Sequence, residues 1–478
     1  MSLSRKIFHN TLVQVVGKIS STGLNLFAFA LMTRELGQAG FGEYTTVITF
    51  LSFFAIVADL GLTLVTAQMI SGAKDRENFI LGNLFGLRLL SAVIFIGLAP
   101  LVVLLFDYSS GIKVGVLVAA ASFIFTALNQ IMVGLFQNRL KMEKVAWAET
   151  LSRFILIAGV ILTVQKNWGL NGMLIATSAA SFASFGLHFF FARRFAHIRP
   201  IFNRQQWREI IKLSWPLALT IAFNLIYLRA DTLILSLIKS AEEVGLYGAA
   251  YKIIDVLSSL PFMFAGIILP LLITSWQNND RPRFNRILQR SFDIMAMVAL
   301  PLLVGTQFLA DDIIILIAGR EFLEAGNILR VLILAVAAIF LGNMMAHAVI
   351  AVQAQKKVIW IYAFTSLTAL SAYLFFIPRF SYFGAAAVTI YSEVVIAVLS
   401  TIFICRYSKF NLNWTGLIKA TAASLLMGLL LWLRPEFFKN SNLGLGISLV
   451  GAIIVYFLFL WLLRAFTRAD LNLMTNKQ

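Results

Sequence analysis

The sequence predicts an all-α membrane protein of about fourteen spans, and three observations carry that prediction. Of the 478 residues, 60% are hydrophobic and only 13% charged, with a mean hydropathy of +0.86; a globular chain is nearer half apolar and a quarter charged. The apolar residues gather into runs long enough to cross a bilayer, which takes roughly 20 residues. The basic residues gather on alternate loops between those runs.

The runs lie at 11–33, 41–70, 79–106, 113–136, 147–164, 170–191, 213–238, 245–275, 291–309, 328–350, 358–377, 383–405, 415–433 and 443–463. Nothing between them exceeds the segment 192–212, too short to fold as a domain of its own. A separate soluble enzyme domain is therefore excluded. The first run follows a basic start but is studded with polar residues and lacks a small-residue cleavage site, so it reads as a retained span.

A net charge of +17 would suggest nucleic acid in a soluble chain. Its placement says otherwise. With the N-terminus inside, about 24 of the Lys and Arg fall in inner loops and about 8 in outer ones, a bias that places both termini in the cytoplasm. Cys405 is the single cysteine, so no disulfide forms within one chain. His9, His188, His197 and His347 lack metal-ligand spacing, and no metal or cofactor is implied.

Two glycine-rich entrances recur about six spans apart. Leu36 to Tyr44 opens span two, and Glu242 to Gly248 opens span eight; a fainter pair is Gly169 to Gly172 and Gly384 to Ala386. The repeat predicts two pseudo-symmetric six-helix bundles around a central cavity, over 1–199 and 200–405, with two further helices and a cytoplasmic tail over 406–478. The basic 192–212 segment is then the linker. Pro261 and Pro270 in span eight and Trp215-Pro216 in span seven are expected kink positions.

Polar side chains inside spans are costly unless they meet water or a partner. Residues spaced four, three and four apart share a helix face. Span one carries Gln14, Lys18, Ser21 and Asn25 at that spacing, and span seven carries Thr220, Asn224, Tyr227 and Asp231. Span two adds Ser52, Asp59, Thr63 and Thr66; span eight adds Gly248, Lys252, Asp255 and Ser259. These four stripes are expected to line a wet cavity, the bland alternative being dry helix packing.

Lys18 and Arg88 lie too deep for easy snorkelling, and Lys252 and Asp255 can neutralise each other. Arg229 points away from the Asp231 face by helix geometry. Arg153, Arg330 and Lys419, near span ends, read as snorkelling anchors, while Glu393 and Asp293 are weaker site candidates. His347 shares a face with Asn343 and reads as a satisfied polar residue. No nucleophile elbow, phosphate-cradling loop or catalytic carboxylate pair appears, so the chain does not read as an enzyme. Cationic groups in a low-dielectric cavity suit an anionic cargo.

The chain resembles the polysaccharide transporters of the multidrug/oligosaccharidyl-lipid/polysaccharide exporter superfamily, in particular the O-antigen flippases of the Wzx type. The resemblance rests on Ser4-Arg5-Lys6 with Asn10, and on Arg34 to Gly37 followed by Gly40 to Tyr44. It continues in Asp231 with Gly245-Leu246-Tyr247 and Ala250, and in Gly319 to Phe322. It implies a multi-pass protein of the bacterial inner membrane that moves an undecaprenyl-pyrophosphate-linked oligosaccharide outward by alternating access for surface polysaccharide biosynthesis.

The expected cargo contacts are Lys18, Arg88, Arg229, Lys252, Gln14, Asn25, Asn224 and Tyr227, with Asp59, Asp231 and Asp255 in ion coupling or gating. Expected partners are the lipid-linked sugar, anionic membrane lipids, and the polymerase and glycosyltransferases of the same route. Lys18 stands where the drug-exporting branch carries an acidic residue, which favours the lipid-sugar branch. The alternatives are a lipid II flippase, a cation-coupled multidrug antiporter using one of the three aspartates, and a membrane glycosyltransferase using Asp311-Asp312.

Overall fold

A computed structural model describes residues 3–71, 76–435 and 442–463. The described residues form α1 (Leu3–Asp59), α2 (Leu62–Ile70), α3 (Glu77–Ser91), a π-helical segment (Ala92–Ile96) and α4 (Gly97–Val102). Then follow α5 (Ser110–Asn138), α6 (Met142–Lys166), α7 (Gly169–Ala192), α8 (Arg204–Ile238), α9 (Ala241–Gln277) and α10 (Arg281–Ile317). The chain ends in α11 (Ala325–Ala351), α12 (Gln355–Ser408), α13 (Thr415–Trp432) and α14 (Asn442–Leu462).

Among the described residues, eleven helical stretches are long and apolar enough to span a membrane. Two of them each contain two predicted spans: α1 turns at Gly37, whose φ of 62° suits glycine, and α12 turns at Ser381, three residues after Pro378. The seventh predicted span lies within α8. All fourteen predicted spans are thus helical. Span two is interrupted at Leu60 and Gly61, both with positive φ, so its last part is the separate helix α2. Large apolar side chains such as Trp147, Leu105, Leu443 and Trp461 are exposed, as on a lipid-facing surface. The protein is a multi-pass membrane protein.

Two compact units divide the chain. The first comprises Met1–Gly248 with Tyr373–Ser381, and the second Ala249–Ala372 with Tyr382–Gln478. In the first, Leu62, Leu81, Ile131 and Phe136 form one apolar core, and Val47, Leu51, Ile96 and Val116 form another. The segment joining α7 to α8 is held against α3: the amides of His197 and Asn203 donate to the Asn78 and Asn83 side chains, and that of Ile201 donates to the Gly82 carbonyl. Trp207 Nε1 donates to the Asn83 carbonyl. The predicted linker is therefore a clamped strap.

In the second unit, α10, α13 and α14 pack through Leu309, Ala423, Met427 and Tyr456, and the Tyr456 hydroxyl donates to the Met297 carbonyl at 2.6 Å. Asp311 pairs with Arg330 and Asp312 with Arg434, each at 2.6 Å. Arg330 is thus an ion-pair partner and not the lipid anchor expected of it. The two aspartates considered as a glycosyltransferase base are thus each paired with an arginine.

The two glycine entrances noted in the sequence meet one another. A methyl group at Gly42 would lie 1.7 Å from the Ala241 carbonyl oxygen, and one at Gly245 would lie 2.1 Å from that of Gln38. Only hydrogen fits at either position, so the start of α9 lies directly on the helix that follows the Gly37 turn. Gly245→Ala is expected to destabilise the protein by about 1–3 kcal/mol through overpacking. A melting measurement on purified protein should show the loss; Gly186→Ala, which would meet no atom within 4 Å, should not lower the midpoint.

Candidate functional site

The first unit forms a half-open polar cavity of about 160 Å³ between α1, α5, α6 and α7, well above the roughly 10–15 Å³ one water needs. Three of the helices bring several residues at one-, three- and four-residue spacing, and α1 brings one. Helix α1 contributes Lys18; α5 contributes Thr126, Asn129 and Gln130; α6 contributes Glu149, Ser152 and Arg153; α7 contributes Thr177, Ser181, Ser184 and His188. The apolar faces of the same helices turn outward, with Trp147 and Phe182 exposed.

Hydroxyls and amides tie the walls together. Ser122 and Ser181 lie 2.8 Å apart, linking α5 to α7. Asn129 Nδ2 donates to Ser184 Oγ at 3.3 Å, and Arg153 Nη1 approaches Asn25 Oδ1 at 3.4 Å, linking α6 to α1. His188, 1% exposed, donates from Nδ1 to the Ser184 carbonyl at 2.8 Å, since a carbonyl can only accept. Three buried polar atoms around this cavity have no hydrogen-bond partner: Asn129 Oδ1, Arg153 Nε and His188 Nε2. Buried groups of this kind call for water or a ligand.

Of the predicted cargo contacts, Lys18 lines this cavity and Asn25 reaches it through Arg153. Arg88, Arg229 and Lys252 do not line it. The side chains of Gln14, Asn224 and Tyr227 lie outside the described residues. Arg153, read as a snorkelling anchor, is instead a cavity cation. Glu149, Asn129 and His188 join it there, and of these His188 carries a sequence signal, since Thr177, Ser181, Ser184 and His188 repeat the four-, three- and four-residue spacing on α7.

Arg88 and Asp59 meet each other inside the first unit. Arg88 is 3% exposed; Nη1 donates to Asp59 Oδ1 at 2.5 Å and Nε donates to the Ala127 carbonyl at 3.0 Å. Thr63 also donates to Asp59. Within the polar stripe of span two, Asp59 and Thr63 thus face Arg88 on α3. In this conformation Arg88 and Asp59, a predicted cargo contact and a predicted coupling residue, are each other's partners.

Asp231 is fully buried and accepts from the Tyr247 hydroxyl at 2.6 Å, from the Thr232 amide at 2.6 Å and from the Thr232 hydroxyl at 3.2 Å. The recurring Asp231 and Gly245-Leu246-Tyr247 elements are therefore the two ends of one hydrogen bond between α8 and α9. Arg229 lies within electrostatic reach of Asp231, although helix geometry alone points it away. Lys252 and Asp255 are half-buried on α9, in the second unit.

Residues 7–276, more than half of the chain, match the family described as polysaccharide biosynthesis protein. The chain belongs to that family. It is 21% identical over 457 residues to the probable low-salt glycan biosynthesis flippase Agl15 of Haloferax volcanii, covering 92% of this chain and 93% of that one. Its fold is similar to that of the lipid II flippase MurJ in an inward closed conformation, with a TM-score of 0.76, 18% identity, and coverage of 94% and 98%. It is also similar to an inward-facing multidrug resistance MATE transporter of the MOP superfamily, with a TM-score of 0.67, 14% identity, and coverage of 84% and 98%. This family member therefore has a transporter fold and a place in polysaccharide biosynthesis.

Proposed function

We propose that this protein is a flippase that carries a polyprenyl-diphosphate-linked oligosaccharide, of the undecaprenyl type, from the cytoplasmic to the outer leaflet of a bacterial inner membrane by alternating access. Both termini are placed in the cytoplasm on the positive-inside bias. The observation that carries the reading is the cavity in which Lys18 and Arg153 line the same space. Charge-assisted hydrogen bonds to phosphate are strong in such a low-dielectric setting. The relatives named for glycan and lipid II flipping support the class of cargo.

A lipid II flippase is the second reading, because lipid II presents the same diphosphate and the fold match is extensive. A drug antiporter fits less well: the cavity's one carboxylate, Glu149, is outnumbered by Lys18 and Arg153. Reconstituted vesicles separate the three. A fluorescent polyprenyl-diphosphate oligosaccharide should cross in protein-containing vesicles faster than in empty ones, and faster than lipid II. Cation-driven dye transport with no lipid movement would overturn the flippase reading.

A further inference from the structure

The cavity holds a titratable group that the reading above does not use. His188 is buried on α7, its Nδ1 hydrogen fixed on the Ser184 carbonyl, so the neutral ring presents a bare Nε2 that no other group satisfies. The Phe136 ring packs against it at 6.2 Å between centroids. Charged groups around the same cavity are Lys18 on α1 and Glu149 and Arg153 on α6, while the α5 wall is neutral, with Asn129 and Gln130. A proton arriving from water at Nε2 converts that nitrogen from an acceptor to a donor and adds a positive charge beside the two cations already there.

Alone, that third charge is opposed by Lys18 and Arg153 and aided only by Glu149. An anion in the cavity reverses the balance, because its negative charge offsets Lys18 and Arg153 and attracts the imidazolium that lines the same space. We infer that the cavity binds a proton on His188 and an anionic diphosphate cooperatively, so that the two enter together instead of exchanging for one another. This rests on the cavity being a diphosphate site. By linkage, each ligand tightens the other by the same factor.

The test uses the purified full-length chain in detergent and UDP-glucose as probe, a diphosphate diester whose phosphates do not titrate near neutral pH. Binding should be roughly tenfold tighter near pH 5 than near pH 8 in the native protein, and independent of pH in His188→Gln. A pH response that survives in His188→Gln but vanishes in Glu149→Gln puts the proton on Glu149 and overturns the inference. Tighter binding as pH rises means exchange and also overturns it, while the diphosphate site stands.

Absence of UDP-glucose binding to the native protein at any pH overturns the diphosphate site itself, and this inference with it. If His188→Gln does not fold, nitrogen NMR of the native imidazole decides: the probe must raise the pH at which Nε2 is protonated. An unmoved midpoint with the probe bound refutes the coupling.

Discussion

Lys18→Ala is expected to reduce export of surface polysaccharide tenfold or more in cells that depend on this protein, the order of effect for losing a charge-assisted contact. Lys18→Arg should keep much of the activity, because a multiply charged diphosphate needs positive charge at that place more than one hydrogen-bond shape. Lys18→Gln should behave as alanine does. Membrane insertion should not suffer, since removing a charge from a span eases its entry into lipid. Arg153→Gln should act in the same direction, and the double substitution should cost less than the product of the two single effects, because both cations would grip one anion. Surface polysaccharide and protein level, measured together, decide the matter. A well-expressed Lys18→Ala variant with full export removes Lys18 from the cargo site.

Breaking the Asp59–Arg88 pair is the second large effect. Arg88→Ala leaves the Asp59 carboxylate in an apolar bundle with only the Thr63 hydroxyl as partner, and such an uncompensated charge costs about 3–5 kcal/mol. The folded yield after extraction and the melting temperature should both fall sharply, and Asp59→Ala should do the same by stranding the guanidinium. The double substitution Asp59→Leu with Arg88→Met should recover most of the lost stability, since a buried pair replaced by apolar groups of similar volume is often neutral. Recovery of stability without transport would show that the pair also takes part in the transport cycle. Failure of the double variant to recover either would overturn its assignment as a neutralised structural pair.

The sequence by itself determined the span count and which residues share a helix face, while the break at Leu60 and Gly61 inside span two was not marked in it. Crossing a bilayer is a local property of roughly 20 apolar residues, so all fourteen spans were legible, and Gly37 between two apolar runs marked its turn. The stripe on α1 was equally legible because the helical period alone puts Gln14, Lys18, Ser21 and Asn25 on one face. What each face meets was decided only by the tertiary structure. Asp59 and Arg88 are apart in the chain, and nothing local distinguishes a stripe turned to water from one turned to an arginine on the next helix. Arg153 near a span end has the position of a lipid anchor, and only the approach of α1 with Asn25 turns it inward. The glycine entrances were visible as a repeat, yet not as a contact, because close approach is a relation between two surfaces and a sequence describes one at a time. The same reason kept the cavity hidden: Lys18, Asn129, Arg153 and His188 come from four helices, and their shared space exists only after those helices pack.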